Sequence, residues 1–285
     1  MSFIRDREKM LIPIINRFTI TKGQIPCMRQ QLKQNNLKMI LDYTNESSVN
    51  HRKNYLEMMD LVETYPKNYI AVKLSSLDIF SKNRVEIYLQ NIIEKAQKQH
   101  SKILIDAENF LIQDRIEQIS TELMKEYNQK EVHVYKTYQM YRKDSYPLLK
   151  HDLKKERDYL LGIKLVRGAY YHQDSVHNIL YSQIHETHEN YNKGIFLFKK
   201  FAKENDKLMC ATHNEKSMHL ATSHIPHGQL EVAHLLGMSD KKSKELAKEN
   251  YNVFKYIPYG NFKDTLPYLI RRLHENYPMI TNLWK

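Results

Sequence analysis

Eight short β-rich runs, each followed by a polar stretch compatible with helix, predict an α/β fold closed as a distorted (β/α)8 TIM-type barrel. Two further observations support that class. At 285 residues and 41% hydrophobic, the chain buries one large core and suits one barrel better than two small domains. Its seven glycines include no GxGxxG or P-loop arrangement, which disfavours a Rossmann or P-loop nucleotide cradle.

The predicted strands are, in order, MILDY (39–43), YIAVKL (69–74), KILIDAE (102–108), VHVYKTYQ (132–139), GIKLVRGAY (162–170), LMCATHN (208–214), LEVAHLLG (230–237) and VFKYIPYG (253–260). The intervening segments read as helices. RVEIYLQNIIEKAQKQ, for example, places apolar positions at helical spacing and charge on the opposite face. Residues 1–35 read as an irregular or helical lead-in and residues 36–285 as the barrel. No internal repeat, low-complexity tract or Pro/Gly-rich linker marks a second domain.

Composition narrows the function. A mean hydropathy of -0.65, with no apolar run approaching the roughly 18 residues of a membrane-spanning helix, leaves at most a surface contact with membrane. Cys27 and Cys210 lie far apart without metal-type spacing, so neither a disulfide framework nor a zinc site is suggested, and a reducing compartment is expected. The start MSFIRDREKM has no apolar signal core, and its early Asp6 and Glu8 are unlike a transit peptide. The net charge of +11 is compatible with nucleic acid, anionic lipid or acidic metabolites. That charge is spread along the chain without any nucleic-acid-binding signature, so a solvated basic surface is the simpler reading.

In such a barrel, functional groups gather where each strand ends. The predicted ends are unusually polar, offering Asp42, Lys73, Asp106 with Glu108, Gln139, Arg167, His213 with Asn214, and Tyr256. Asp106 closes the apolar run ILID and Lys73 closes IAVK, so a Lys-Asp ion pair at the rim serves structure or chemistry equally well. KLVRGAYY combines a cationic strand end, a glycine that lets backbone approach a ligand, and aromatics able to wall a ring-shaped substrate. ATHN supplies hydrogen-bonding groups suited to a ribityl, ribose or adenine. HETH at 185–188 lacks metalloprotease spacing and a third ligand, so no metal is expected. The closing stretch TLPYLIRRLHEN reads as a helix that places Tyr268, Arg271, Arg272 and Glu275 within two turns. Paired guanidinium groups on a barrel rim make a carboxylate clamp, although an Arg-Arg pair by itself is more often a solvated face.

Taken together and in this order, LDYTNE, AVKLSSL, IDAE, TYQMY, KLVRGAYY, ATHN, LLGMSD, YIPYG and YLIRRLHEN resemble the proline dehydrogenase family, in particular its single-function, eukaryote-like branch. The resemblance covers about the last 245 residues. It implies a barrel that holds FAD non-covalently, with proline stacked on the flavin and hydride passing from the ring carbon beside nitrogen to flavin N5. The implied product is Δ1-pyrroline-5-carboxylate. By the same resemblance, Arg271 and Arg272 grip the substrate carboxylate, while Lys73, Asp106, Tyr170, Leu235, Tyr256 and Tyr268 shape the pocket. Gln139, Lys164, Val166, Arg167, Gly168, Ala169, Thr212, His213, Asn214 and Glu275 fall to the flavin or its adenosine tail. A membrane quinone is the implied electron acceptor, with peripheral membrane contact.

The chain departs from the family pattern in places. Lys164 stands where some bacterial relatives carry arginine, AHLLGM replaces a glycine-glutamine variant, and the chain is short, so gating and membrane-association parts are expected to be reduced. Tyr256 favours proline, because hydroxyproline-preferring relatives tend to carry a smaller residue there. The family implies a mitochondrial location in eukaryotes, whereas a complete chain of this sequence reads as cytoplasmic or peripheral to a membrane. Three alternatives stay open: hydroxyproline oxidation, a barrel enzyme clamping another small carboxylate, and a basic barrel that binds nucleic acid or membrane without activity.

Overall fold

The computed structural model describes residues 17–44, 50–260 and Thr265. All eight predicted strands form. They are β1 (Lys38–Tyr43), β2 (Tyr69–Val72), β3 (Lys102–Ile105), β4 (Val134–Gln139), β5 (Gly162–Val166), β6 (Lys207–Ala211), β7 (Leu230–Leu235) and β8 (Asn252–Tyr259). Each pairs in parallel with the next, and β1 closes on β8 in register from Lys38 against Phe254 to Tyr43 against Tyr259. Parallel neighbours need crossovers, and helices such as His51–Thr64, Lys82–Lys98, Phe110–Tyr127 and Ile184–Phe201 supply them. The result is a (β/α)8 barrel.

Asparagines in the loops start several of these helices. The side chains of Asn50, Asn109 and Asn214 accept the backbone N–H of Lys53, Leu111 and Ser217 respectively, satisfying donors that a helix start leaves orphaned. Ahead of β1, Ile20 bridges to Tyr259 at the end of β8, and the helix Ile25–Gln34 buries Ile25 and Leu32 in the same core as the crossover helices.

Strand residues alternate between two cores, as the period of two requires. Ile70 and Val72, Ile103 and Ile105, Ile163 and Leu165, and Val253 and Ile257 join the large cluster packed under the helices. The residues between them, among them Tyr69, Ala71, Leu104, Tyr135, Met209, Ala233, Phe254 and Tyr256, form a separate cluster that fills the barrel. Continuing the inward column past each strand end leads from Tyr69 and Ala71 to Lys73, from Leu104 to Asp106, from Tyr135 and Thr137 to Gln139, and from Ala233 to Leu235. The parity that fills the core with apolar side chains therefore delivers polar ones to the carboxyl mouth. No described helix is long and apolar enough to cross a membrane.

Candidate active site

A cavity of about 1060 Å³ opens at that mouth. Its size is at the upper end of cofactor and ligand pockets, roughly 300–1,000 Å³. Lys73, Asp106, Tyr170, Leu235 and Tyr256 line it, as do Gln139, Lys164, Val166, Arg167, Gly168, Ala169, Thr212, His213 and Asn214. These are all the nominated residues that the structure describes. The other four, Tyr268, Arg271, Arg272 and Glu275, lie outside the described residues.

The floor carries alternating charge. Asp106 Oδ1 sits 2.6 Å from Lys164 Nζ, and its Oδ2 accepts the Tyr256 hydroxyl at 2.7 Å. The same ammonium lies 4.8 Å from the centroid of the Tyr256 ring, a cation-π contact. Burial drives the Asp106 carboxyl upward, but the Lys164 and Lys73 charges and the two hydrogen bonds outweigh it, leaving it below its ordinary value. Lys73 is paired with Asp42 at 2.6 Å. The rim ion pair expected between a lysine and an aspartate thus exists twice, with each lysine on a partner the sequence did not suggest. Glu108, grouped with Asp106 at the same strand end, turns away from the cavity and accepts the backbone N–H of Ser75 at 3.0 Å. Burial raises its carboxyl above the ordinary range despite that bond.

The turn after β5 is built differently. Arg167 donates to His188 Nδ1 at 2.9 Å, to Ser217 Oγ at 3.0 Å and to Thr212 Oγ1, and its guanidinium lies 4.5 Å from the centroid of the Tyr191 ring. All of these partners are neutral, since burial and the adjacent Arg167 hold His188 below its ordinary value. A half-buried cation surrounded by neutral groups is suited to receive an anion such as a pyrophosphate. Gln139 braces the same turn, its Oε1 accepting the Ala169 N–H at 2.9 Å while its Nε2 donates to the Glu108 carbonyl at 2.8 Å.

Two of the lining residues also have work within the fold. Gly168 has φ +147, and an added Cβ would fall 2.5 Å from three atoms of the Tyr141 ring, so the missing side chain makes room for that tyrosine. Asn214 spends its Oδ1 on capping the helix Glu215–His224 at Ser217. Sequence reasoning missed Tyr141 and His188, and it named Asp42 among the polar strand ends without foreseeing its pairing with Lys73. Asp42 shares the inward parity of Ile40, and Tyr141 stands two residues past Gln139 in the TYQMY motif. His188 belongs to HETH, whose rejection as a metal motif hid its use as an acceptor for Arg167.

Comparison with known proteins bears on the same residues. Residues 28–281 match the family model described as proline dehydrogenase. The chain belongs to the proline dehydrogenase family. Similar family members include mitochondrial proline dehydrogenase 1 of Dictyostelium discoideum, 31% identical over 224 residues, covering 71% of this chain and 39% of that protein. A hydroxyproline dehydrogenase of Xenopus laevis is 31% identical over 216 residues, covering 69% of this chain and 46% of that protein. This chain therefore spans less than half the length of these curated relatives. Among solved structures, proline utilization A from Bdellovibrio bacteriovorus, inactivated by N-propargylglycine, superimposes with a TM-score of 0.85 at 19% identity. That match covers 94% of this chain and 33% of the other, and it supports the barrel fold.

Proposed function

We propose that this chain oxidises L-proline to Δ1-pyrroline-5-carboxylate with non-covalently bound FAD, and that residues 36–285 form the FAD-binding barrel. The observation that carries the reading is the β5 turn. Arg167, half-buried among neutral partners, opens onto the same cavity as the Asp106–Lys164–Tyr256 group, so an anion-binding wall and a charged floor face one space. A dinucleotide cofactor and a small zwitterion together need that combination.

The proposed roles are assigned to the nominated residues as follows. Arg167 faces the pyrophosphate, with Gly168 and Ala169 presenting backbone beside it. Lys164 places positive charge near the isoalloxazine, where it favours negative charge on the reduced ring. Bound FAD supplies the two-electron acceptor, at N5. Tyr170, Leu235 and Tyr256 wall the proline ring, and Asp106 fixes the Lys164 and Tyr256 side chains on which that wall depends. By the family resemblance, the proposed roles of Arg271 and Arg272 are to bind the carboxylate, of Tyr268 to shape the pocket, and of Glu275 to contact the flavin or its adenosine tail. The hydride leaves the carbon beside the ring nitrogen, the amine gives up a proton, and a carbon-nitrogen double bond forms between those two atoms. The proposed final acceptor is a membrane quinone, reached through peripheral membrane contact, and relatives named mitochondrial make that compartment the proposed location in a eukaryotic cell.

The Xenopus relative, named for hydroxyproline, carries the second reading. Against it stands the bulk of Tyr256, whose hydroxyl is held by Asp106 and whose ring occupies the mouth. Anaerobic titration of FAD-loaded protein with L-proline and with trans-4-hydroxy-L-proline decides between the two. Proline-dependent bleaching of the flavin is expected; bleaching by hydroxyproline alone would reverse the assignment, and none by either would end the activity claim. Arg271→Ala or Arg272→Ala is expected to weaken proline binding by about 3 kcal/mol, the scale of a buried charge pair losing one partner. An unchanged KM in both variants would remove the clamp.

A further inference from the structure

One buried carboxylate outside the nominated site ties together the segments that follow β3, β4 and β5. Asp174 is fully buried at the end of the short helix Tyr171–Asp174. Its Oδ1 accepts the Phe110 N–H at 2.8 Å, at the start of the helix after β3, and its Oδ2 accepts the Tyr141 hydroxyl at 2.6 Å from the loop after β4. Tyr141 is held at its other end by the β5 turn, since its N–H donates to the Arg167 carbonyl at 2.7 Å. Its ring lies flat against Gly168, where an added Cβ would sit 2.5 Å from Cγ, Cδ1 and Cδ2 alike. The segment from Gly168 to Asp174 therefore wraps the tyrosine ring, with the glycine on its face and the aspartate on its hydroxyl.

We propose that Tyr141 and Asp174 are positioning residues that fix the Arg167–Ala169 turn for cofactor binding, an inference that rests on the FAD reading. Arg167, Gly168 and Ala169 all face the cavity, and Tyr141 lines it beside them. A group meant to meet a pyrophosphate loses most of its value when misplaced by about 1 Å. Gln139 holds the turn from one side through the Ala169 N–H. The Tyr141 ring backs it from the other, and the ring is steady only while its hydroxyl is anchored. Burial and the bond to Asp174 keep that hydroxyl protonated, so the anchor persists through the neutral and alkaline range.

A purely structural fastening would lower thermal stability and leave the cofactor alone, which sets the test. Tyr141→Phe keeps the ring and removes only the anchor. Its FAD dissociation constant, measured by flavin fluorescence, is expected to rise about tenfold, the scale of one hydrogen bond to a charged acceptor. The proline KM at saturating FAD should move less than the FAD constant. Amide exchange at Ala169 in the apoprotein should quicken while the β-strands keep their protection. Asp174→Asn is expected to weaken FAD in the same direction, and the double variant should be no worse than the weaker-binding single, because both remove one interaction. FAD affinity within twofold of wild type in Tyr141→Phe, or additive losses in the double variant, would overturn the proposal. Should wild-type protein take up no FAD, the cofactor reading fails by itself. Ala169 exchange then decides the bracket, and an unchanged rate in Tyr141→Phe and Asp174→Asn would reject it.

Discussion

Asp106 and Glu231 are both buried carboxyls inside the same barrel, yet they answer burial in opposite ways. Asp106, at the carboxyl mouth, meets Lys164, the field of Lys73 and the Tyr256 hydroxyl, and its carboxyl ends below the ordinary value. Glu231, near the start of β7, meets tyrosines instead. Its Oε1 accepts the Tyr69 hydroxyl at 2.6 Å, and desolvation, only partly offset, lifts its carboxyl above the ordinary value. Burial penalises charge at both places; a lysine in direct contact reverses the sign at Asp106, whereas the tyrosine bonds and the fields of Lys102 and Lys38 do not at Glu231. The mouth is thus built to hold ions, whereas the amino end of the barrel is a core that tolerates a neutral acid. The proposed substrate and cofactor, both charged, suit the first and not the second.

The strongest way to break this contrast is Asp106→Ala. Removing the carboxylate strands Lys164, which is 4% exposed, without its ion-pair partner, and should cost about 3–5 kcal/mol in urea unfolding at neutral pH. The sign with pH follows from the lowered carboxyl. Its contribution is present above the ordinary aspartate value of about 3.9 and is lost as pH falls through the lower folded value. The difference between wild type and variant should therefore persist down to pH 4 and shrink only in stronger acid. A cost under about 1 kcal/mol at pH 7 would mean that the mouth holds no real ion pair.

Glu231→Gln sharpens the contrast from the other side. A carboxyl raised on folding contributes fully below the ordinary glutamate value of about 4.3, and that contribution is lost as pH rises through the raised folded value. Glutamine has nothing to lose over that interval. The variant should match wild type near pH 4 and become the more stable by on the order of 1 kcal/mol at pH 8. A variant that is less stable at pH 8 would show Glu231 to be a compensated anion like Asp106.

The architecture of the two ends was far more legible than their pairing. Strands were readable because runs such as YIAV and KILI are short, β-rich and bounded, and every one of the eight falls where expected. The expected strands overran β2 and β3 by two or three residues because Lys73, Asp106 and Glu108 continue the run just past the last ladder pairing. That overrun is itself informative, since it is where inward parity hands over to the site. Partners were illegible. Chain order favours Lys73 with Asp106, from adjacent strands, whereas closure of the barrel brings Lys164 on β5 across to Asp106 at the end of β3. Tyr69 on β2 reaches Glu231 on β7 for the same reason. Contacts across a closed barrel depend on tilt and side-chain length, which no spacing in the sequence records.

Two tyrosines at the amino end give the finest test of how that region treats polar groups. The Tyr69 hydroxyl is bonded to Glu231, while the buried Tyr135 hydroxyl and Glu231 Oε2 influence each other's protonation without a hydrogen bond of good geometry. Tyr69→Phe removes a made bond and leaves the acid unsatisfied, so a loss of about 1–2 kcal/mol is expected. Tyr135→Phe removes a hydroxyl that carries the cost of desolvation without a well-aligned bond in return, so the change should lie within about 0.5 kcal/mol of zero, or favour the variant. Parallel urea unfolding of the two variants reads the difference directly. Equal losses would mean that Tyr135 holds Glu231 as firmly as Tyr69 does, and the acid would then be a fully bonded group, closer in kind to the aspartate at the mouth.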